Sequence, residues 1–414
     1  MKSTRLINFG LVVVSTTVAL LLVEWLVFPK VVPHLSLSHH GYLSKLRVLA
    51  QSSKAAMTPK DYIALVGDSY AQGRGDWLLE SDPDGNGSFH SAHVLRDLSG
   101  RDVISFGKGG TGSLEGMVER PLKQFRYIAG SPWFALEPPR TILAYFYEGN
   151  DFDNNIRTLR EAGLILPDGT ILGTAAAIET LVAERTEGGA VILGAGLAPA
   201  FSFSVRALIG TYKWVSKNAL EWGLKKIGRG TQKVRRCRTG SLAPNGDILA
   251  PSVALLDGKR FTLCDRLQGP SLELTEPEVT VSALLLKKSL AALRDAFPAS
   301  EIVVVYLSSP LGTYRLVSQT VSIQSHQKRQ LEFPAEAVAV RSNQLCRMVR
   351  EAAATTGAGF LDTRPALREV AESQAVHGPR DWGHYNRLGY ETLALAIYDY
   401  LKAGEPAVGD CAAI

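Results

Sequence analysis

The chain has 414 residues, of which 46% are hydrophobic, enough for one large folded domain or two small ones. A formal net charge of +5 is small for this length and gives no indication of nucleic-acid binding. None of the four cysteines belongs to a Cys-x-x-Cys pair, so no zinc site is indicated. We therefore expect no nucleic acid, metal or organic cofactor among the ligands.

Residues 1–28 predict a membrane anchor. Lys2 and Arg5 precede a segment of mostly Leu, Val and Ile that continues to Phe28, and about 20 apolar residues span a bilayer. Basic residues before a span favour a cytoplasmic N-terminus. A cleaved signal peptide is the alternative, but the segment is longer than a signal core and lacks a small-x-small cleavage site. We therefore expect a single-pass protein whose remaining chain lies in the periplasm or at the cell surface.

Residues 29–58 predict a membrane-proximal stalk, because they contain two prolines and several serines. His39 and His40 could together bind a metal. No acidic or cysteine partner lies near them in the sequence, so we interpret the segment as a solvated linker.

The chain from 59 to 402 predicts an α/β domain with a parallel sheet. Apolar runs near 61–67, 101–106 and 140–147 alternate with helical patterns, which is typical of strands joined by right-handed crossovers. The alternation resumes with a strand at 301–307, a helix at 335–355, a short strand at 359–362 and a last helix ending near Leu401. These patterns place several strand ends, and the residues that follow them, at one edge of the sheet.

Polar residues with the chemistry of a hydrolase follow these strands. The first strand ends at Gly67-Asp68-Ser69, and parallel sheets keep their chemistry at the carboxyl ends of the strands. Asp381 stands three residues before His384, a spacing that lets a carboxylate orient an imidazole for general-base catalysis on a serine. Asn150 follows the third strand, and its amide could donate to an oxyanion, as could a backbone N–H near Gly110.

These four blocks resemble the SGNH (GDSL-type) hydrolase and acyltransferase superfamily, in a membrane-anchored bacterial form. The matching residues are Gly67-Asp68-Ser69, the glycine turn near Gly110, Gly149-Asn150-Asp151, and Asp381 with His384. The resemblance implies a flavodoxin-like α/β/α fold and ester hydrolysis or acyl transfer. It implies a triad of Ser69, Asp381 and His384, with an oxyanion hole from Ser69, Gly110 and Asn150.

The chain departs from the family pattern at three positions, and the resemblance does not cover its middle. Tyr70 replaces the usual leucine after the serine, Ser105 stands where asparagine is frequent, and Glu148 stands where the third block often begins with glycine.

Residues 152–280 predict a large insertion between the third and fourth strands. Its basic stretch, 206–238, admits two interpretations: a helix lying on anionic lipid, or a lid helix with a solvated basic face. A turn at Asp257-Gly258 predicts a hairpin between Cys237 and Cys264, which a disulfide bond could pin outside the cytoplasm.

Two further expectations concern the C-terminal part of the chain. We interpret Cys346 as a small core residue of a helix. Residues 403–414 predict a flexible tail.

The sequence thus favours a serine esterase acting on an acylated small molecule or a cell-envelope glycan through an acyl-enzyme at Ser69. Transfer of the acyl group to a sugar hydroxyl is the first alternative. A non-catalytic glycan-binding or scaffold protein is the second, although such a role needs no serine, histidine, aspartate and asparagine together.

Overall fold

The computed structural model describes residues 2–35, 37–40, 42–75, 90–131, 133–194, 203–226, 251–264, 267–325, 330–404 and 411. The described strands are β1 (Ile63–Val66), β2 (Val103–Ser105), β3 (Thr141–Tyr147), β4 (Val253–Leu256), β5 (Lys259–Thr262), β6 (Glu301–Leu307), β7 (Arg315–Leu316), β8 (Thr320–Gln324), β9 (Gln330–Pro334) and β10 (Gly359–Asp362). The described α-helices of eight residues or more are α1 (Lys2–Leu22), α2 (Ser91–Ser99), α3 (Arg120–Ala129), α4 (Asp151–Glu161), α5 (Ala175–Gly194), α6 (Phe203–Lys226), α7 (Glu276–Ala296), α8 (Ala335–Thr355), α9 (Arg364–Ala371) and α10 (Arg387–Ala403). Shorter helical segments are Val23–Val27, Phe28–Val31, Val32–His34, Leu37–His40, Ser44–Ala50, Ser69–Gln72, Ser113–Glu119 and Pro310–Thr313.

Five strands form a parallel sheet in the order β10-β6-β3-β1-β2. Ala64 of β1 pairs with Ile104 of β2 on one side and with Ile142 of β3 on the other. This is the flavodoxin-like strand order, in which the winding direction reverses between β1 and β3. Sheets of this kind bind ligands at that switch point, outside the carboxyl ends of the strands. The predicted α/β class with a parallel sheet is confirmed.

Each strand of the sheet contributes alternate side chains to two cores. Ala64 and Val66 belong to the core under α3, α4, α7 and α8, whereas Ile63 and Leu65 belong to the core under α2 and α10. All four side chains are buried. Burial on both faces explains why β1 is a continuous apolar run rather than an alternating one. The result is three layers, with helices on both faces of the sheet.

The N-terminal helix leaves this body. From Ile7 to His34 the helical chain has 28 residues and is long and apolar enough to cross a membrane, although a signal sequence has the same properties. Its side chains from residue 7 to residue 20 are exposed, but Glu24, Phe28 and Val32 are buried against the rest of the protein. The spacing of four residues puts these three side chains on one face of the helix.

Two segments predicted to be accessory contribute to the main core. Leu46 and Leu49, in the predicted linker, are fully buried in a short helical segment. Phe152 and Leu159 open the predicted insertion, and both are buried in α4, which packs against α7. The interpretation as a solvated linker is therefore wrong for residues 44–50, because the apolar side chains of this segment pack against the helices that flank the sheet and do not face water.

A disulfide bond corrects the expectation of a flexible tail at residue 411. Cys346 is disulfide-bonded to Cys411, which is buried although it lies in the predicted flexible tail. Cys264 is also disulfide-bonded, whereas Cys237 lies outside the described residues. The predicted hairpin is present as β4 and β5, whose turn residues Asp257 and Gly258 both have positive φ angles.

Candidate active site

The turn after β1 presents Ser69 at the switch point. Gly67 has a φ of +135°, and a Cβ there would lie 2.6 Å from the carbonyl oxygen of Tyr145, so only glycine fits. Asp68 then caps the following helical turn, because its Oδ1 accepts from the Tyr70 amide at 2.8 Å. The sequence Gly-Asp-Ser therefore encodes a tight turn that places the buried Ser69 at the first position of a helix.

The Ser69 hydroxyl donates to Asp68 Oδ2 at 3.0 Å. No hydrogen bond joins it to His384 among the described residues. Burial raises the pKa of Asp68, while the Tyr70 amide and the charge of His384 act in the opposite direction. Burial and then the Asp68 carboxylate raise the pKa of Asp151 well above its usual range. The two buried carboxyl groups of Asp68 and Asp151 thus interact electrostatically next to Ser69.

Asp381 and His384 form a hydrogen-bonded pair near the same turn. Asp381 Oδ2 lies 2.8 Å from His384 Nδ1, and Asp381 Oδ1 accepts from the Gly383 amide at 3.0 Å. This arrangement leaves His384 Nε2 as the nitrogen available to a serine. The Tyr70 ring, one residue after Ser69, lies 5.2 Å from the His384 ring, and its hydroxyl donates to Gly383 O at 3.0 Å. Tyr70 therefore connects the turn at residues 67–69 (the serine turn) to the loop that carries Asp381 and His384 (the histidine loop).

Gly75 keeps the two loops in close contact. Its φ is +111°, and a Cβ there would lie 2.7 Å from His384 Cβ and 2.8 Å from the carbonyl oxygen of Tyr385. Sequence reasoning did not single out Tyr70 or Gly75 as site residues. The available signal was position alone, since Tyr70 directly follows the predicted nucleophile and Gly75 lies six residues after it.

The glycine-rich loop after β2 packs on the serine turn. The Lys108 amide donates to Gly67 O at 3.1 Å, and the Gly109 amide donates to Gln72 Oε1 at 2.7 Å. A Cβ at Gly107 would lie 2.4 Å from the Gln72 nitrogen. Gly110, the predicted oxyanion donor, is exposed with a φ of +78°, and its carbonyl accepts from Arg157 Nη2 at 2.6 Å. The loop thus packs beside Ser69, and Gly110 lies on its solvent-exposed side.

Asn150 follows β3 and occupies the N-cap position of α4 without capping it. Its side chain makes no hydrogen bond to any residue that the structure describes, and its Oδ1 is buried. An uncommitted amide at the carboxyl end of the strand next to β1 is suited to bind a substrate oxygen.

Glu148 holds the start of the loop that follows β3 and carries Asn150. The buried carboxylate accepts from Tyr306 Oη at 2.8 Å, from the Ser309 amide and hydroxyl at 2.8 Å each, and from Ser342 Oγ at 2.6 Å. Ser342 in turn accepts from Arg364, a fully buried residue paired with Asp362 at 2.7 Å. Glu148 is therefore a buried acidic side chain whose hydrogen bonds connect the end of β3 to β6 and α8.

Cationic side chains surround the glycine loop. Arg47 Nη2 donates to Gly107 O at 2.5 Å, and the Arg74 guanidinium lies about 3 Å from where a Cβ of Gly109 would stand. Burial lowers the pKa of Lys108, and the nearby Arg120, Arg47 and Arg74 charges lower it further. An excess of positive charge at this edge favours negative charge on a bound substrate or on a reaction intermediate.

The hairpin of β4 and β5 supports the histidine loop. The Phe261 ring lies 5.4 Å from the ring of Trp382, which stands between Asp381 and His384. The Asp257 amide donates to Glu372 O at 2.7 Å. The region predicted as an insertion thus contacts the loop that carries Asp381 and His384.

Ser69 begins a helical turn at the carboxyl end of β1, and Gly110, Asn150, Asp381 and His384 lie in loops that follow the strands or precede α10. The chain matches no protein-family model and no curated protein. Among solved structures it is similar to an acetyl xylan esterase from the rumen bacterium Butyrivibrio proteoclasticus, with a TM-score of 0.35 and 11% sequence identity. The similarity covers 83% of this chain and 64% of that protein, which is less than two thirds of its length.

Proposed function

We propose that this protein is a serine ester hydrolase of the SGNH type. The observation that carries the proposal is the Asp381–His384 hydrogen bond, which lies beside a buried serine at the switch point of a flavodoxin-like sheet. A scaffold protein needs no oriented histidine next to a serine at a strand end, and an uncommitted asparagine amide beside them adds a third element of acyl-transfer chemistry.

The proposed reaction follows from the residues. Ser69 Oγ turns from Asp68 toward His384 Nε2, gives up its proton to that nitrogen and attacks the ester carbonyl carbon. The carbonyl oxygen takes the electron pair and accepts hydrogen bonds from the Ser69 amide, the Gly110 amide and the Asn150 side chain. His384 then donates its proton to the leaving alcohol as the carbon–oxygen bond breaks. Water, activated by the same histidine, releases the acid and restores Ser69.

The proposed substrate is an acylated carbohydrate, such as a glycan of the cell envelope. The proposed location is the periplasm or the cell surface, with residues 1–28 as an uncleaved single-pass anchor. The Cys346–Cys411 disulfide supports this location, because disulfides persist in oxidising compartments. A reporter that works only in an oxidising compartment, fused after Ile414, tests the topology. Activity only from a cytoplasmic reporter at that position would refute it.

Acyl transfer to a sugar hydroxyl is the second candidate function. The hairpin packing of Phe261 on Trp382 favours it, because the insertion then borders the site where an acceptor would have to replace water. The half-buried Trp382 ring also offers a surface on which a sugar can stack. The fate of acyl groups from an activated acetyl ester, with and without glycan, separates the two. Acyl groups found only in water would leave the hydrolase standing.

The decisive experiment is labelling of the purified protein by a fluorophosphonate, which modifies activated serines. Wild-type protein should be labelled once, at Ser69, and Ser69→Ala protein should not be labelled. Ser69 is buried, so Ser91→Ala, at another buried serine on the same side of the sheet, is the matched control and should keep the label. A folded wild-type protein that is not labelled would leave the non-catalytic binding protein as the better account.

A further inference from the structure

Helix α6 has apolar residues on two opposite faces. On its inner face, Phe203 and Ala207 are buried in the main core, and Gly210 packs so closely that a Cβ would lie 2.8 Å from the carbonyl oxygen of Tyr42. Its outer face consists of five apolar residues whose exposed fractions are Val205 38%, Leu208 63%, Ile209 52%, Tyr212 73% and Val215 48%. Soluble surfaces seldom keep such a contiguous stripe, and large exposed patches mark interaction sites.

Helix α6 begins directly on the N-terminal helix. The carboxylate of Glu24 accepts hydrogen bonds from the Phe203 amide at 2.7 Å, from the Ser204 amide at 2.9 Å and from the Ser204 hydroxyl. Glu24 thereby occupies the place of an N-cap for α6 and satisfies its otherwise unpaired amides. The Phe28 ring lies 6.3 Å from the Phe203 ring. The start of α6 is therefore fixed at residues 24–28 of the proposed anchor.

With residues 1–28 as the proposed anchor, these residues lie at the outer boundary of the bilayer. A helix rises 1.5 Å per residue, so a hydrocarbon core of about 30 Å takes about 20 residues, from Ile7 to around Leu26. Trp25, at this level, packs edge-on against Trp133 at 5.0 Å, and Trp133 is 42% exposed. Tryptophan is enriched at the interface of membrane and water. The first turn of α6 thus lies where the hydrocarbon ends.

Beyond its first turn, α6 leaves the N-terminal helix and packs on the segments Leu37–His40 and Ser44–Ala50. It therefore does not cross the bilayer beside the anchor. Lys213 is exposed on α6, and the Lys217 ammonium lies 5.8 Å from the centre of the Tyr42 ring. Apolar and basic residues on one exposed helix are typical of helices that lie in the headgroup region of anionic membranes.

We propose that α6 lies along the extracytoplasmic surface of the bilayer, with its outer face among phospholipid acyl chains and Lys213 toward the headgroups. The occupant of the outer face is lipid, because α6 begins at Glu24 of the anchor, and the neighbouring anchor residues Trp25, Leu26 and Val27 expose apolar side chains as the outer face does. The proposal rests on the membrane anchor and not on the esterase activity. It gives the domain two contacts with the membrane, and two contacts fix its orientation where a single helix would leave it free to turn.

Photo-cross-linking of the full-length protein tests this contact. The photoreactive amino acid p-benzoylphenylalanine replaces Leu208 or Tyr212, and the protein is reconstituted in vesicles of phosphatidylcholine and phosphatidylglycerol. The matched control carries it at Val340, a 68% exposed apolar residue of α8. After illumination, mass spectrometry should find phospholipid adducts at positions 208 and 212 at least five-fold above those at 340. Thermal unfolding by circular dichroism verifies that each variant is folded.

Two cross-linking results would overturn the proposal. Adducts at 208 and 212 no more abundant than at 340, in protein that unfolds like wild type, would show that the outer face meets water. Cross-links to another polypeptide in native membranes, in place of lipid adducts, would assign the face to a partner protein. A second measurement does not depend on cross-linking. The double variant Leu208→Ser, Ile209→Ser should exchange the amide hydrogens around α6 at least ten-fold faster than wild type in vesicles, but not in detergent solution. An equal effect of the double substitution in both media would also reject lipid contact.

Discussion

At the scale of single residues, the proposed mechanism depends on the exchange of Asp68 for His384 as the partner of the Ser69 hydroxyl. Asp68 accepts from this hydroxyl in the structure, and Tyr70 holds the histidine loop against the serine turn. The second oxygen of Asp381 is also committed, since it accepts from the Gly383 amide. Asp381 therefore both closes its own turn and orients His384, and the two roles can be separated by mutation.

Asp381→Asn separates them. The amide oxygen of asparagine can still accept from the Gly383 amide, whereas the NH₂ group cannot accept from His384 Nδ1. We expect the rate of Ser69 labelling by a fluorophosphonate to fall by roughly 10³-fold or more, with little change in the melting temperature. Asp399→Asn, at an exposed position of α10, should label at the wild-type rate. Unchanged labelling of the Asp381 variant would remove this residue from the proposed mechanism.

A second residue-scale prediction concerns Glu148. Glu148→Gln replaces one of two acceptor oxygens with a donor, so at least one of the hydroxyl groups of Tyr306, Ser309 and Ser342 loses its partner. We expect the free energy of unfolding to fall by about 1–3 kcal/mol, because these groups are buried. Chemical denaturation measures it. The exposed Glu351→Gln variant of α8 should unfold like wild type, and an equal midpoint for Glu148→Gln would mean that the network does not stabilise the fold.

At the scale of elements, helices and strands are where the sequence indicates them when burial and periodicity agree. The strand at 359–362 and the helix at 335–355 have the predicted bounds. The strands β7, β8 and β9 were not predicted. They are short, and within the described part of the chain β8 pairs only with β9, so their signal depends on a neighbour rather than on a run of residues.

The disulfide between Cys346 and Cys411 joins α8 to the C-terminal segment. The two cysteines are 65 residues apart, and closing a loop of that length should stabilise the fold by about 4 kcal/mol through the unfolded state. We expect the double variant Cys346→Ser, Cys411→Ser to lose a comparable free energy of unfolding, measured with denaturant. The double variant avoids a leftover thiol. An unchanged unfolding midpoint would show that the bond does not constrain the unfolded chain.

At the scale of the whole molecule, the stability should depend on pH through buried ionisable groups of both signs. Burial lowers the pKa of His90 and of His377 to about 3, so each stays neutral in the folded protein while the unfolded chain takes up a proton below about 6.5. The stability that each contributes is complete above pH 6.5 and is lost as the pH falls toward 3. Burial raises the pKa of Asp151 and Asp153, which acts in the opposite direction.

The variant His90→Gln isolates one histidine from this balance. Between pH 7.5 and pH 5 the wild-type protein should lose about 2 kcal/mol more free energy of unfolding than the variant, since one pKa unit corresponds to about 1.4 kcal/mol. The variant can start from a lower stability at pH 7.5, because His90 packs against Tyr390. Denaturation curves at five pH values compare the two slopes. Parallel slopes would mean that His90 titrates in the folded protein as it does in water.

The sequence alone determined the features that short stretches of chain can encode. An apolar run ending in Gly-Asp-Ser, an aspartate three residues before a histidine, and 28 residues able to form an apolar helix are local patterns, and local sterics and hydrogen bonding fix their structure. The α/β class followed because alternating strands and helices admit few topologies.

Only the tertiary structure decided which distant residues meet. Glu24 and Phe203 are 179 residues apart, and no local pattern indicates that the carboxylate of a membrane-type helix caps another helix. The same holds for Glu148 with Ser342, and for Cys346 with Cys411. The physical reason is that buried polar groups must find partners wherever packing brings the chain together, and this choice depends on the complete fold rather than on neighbouring residues.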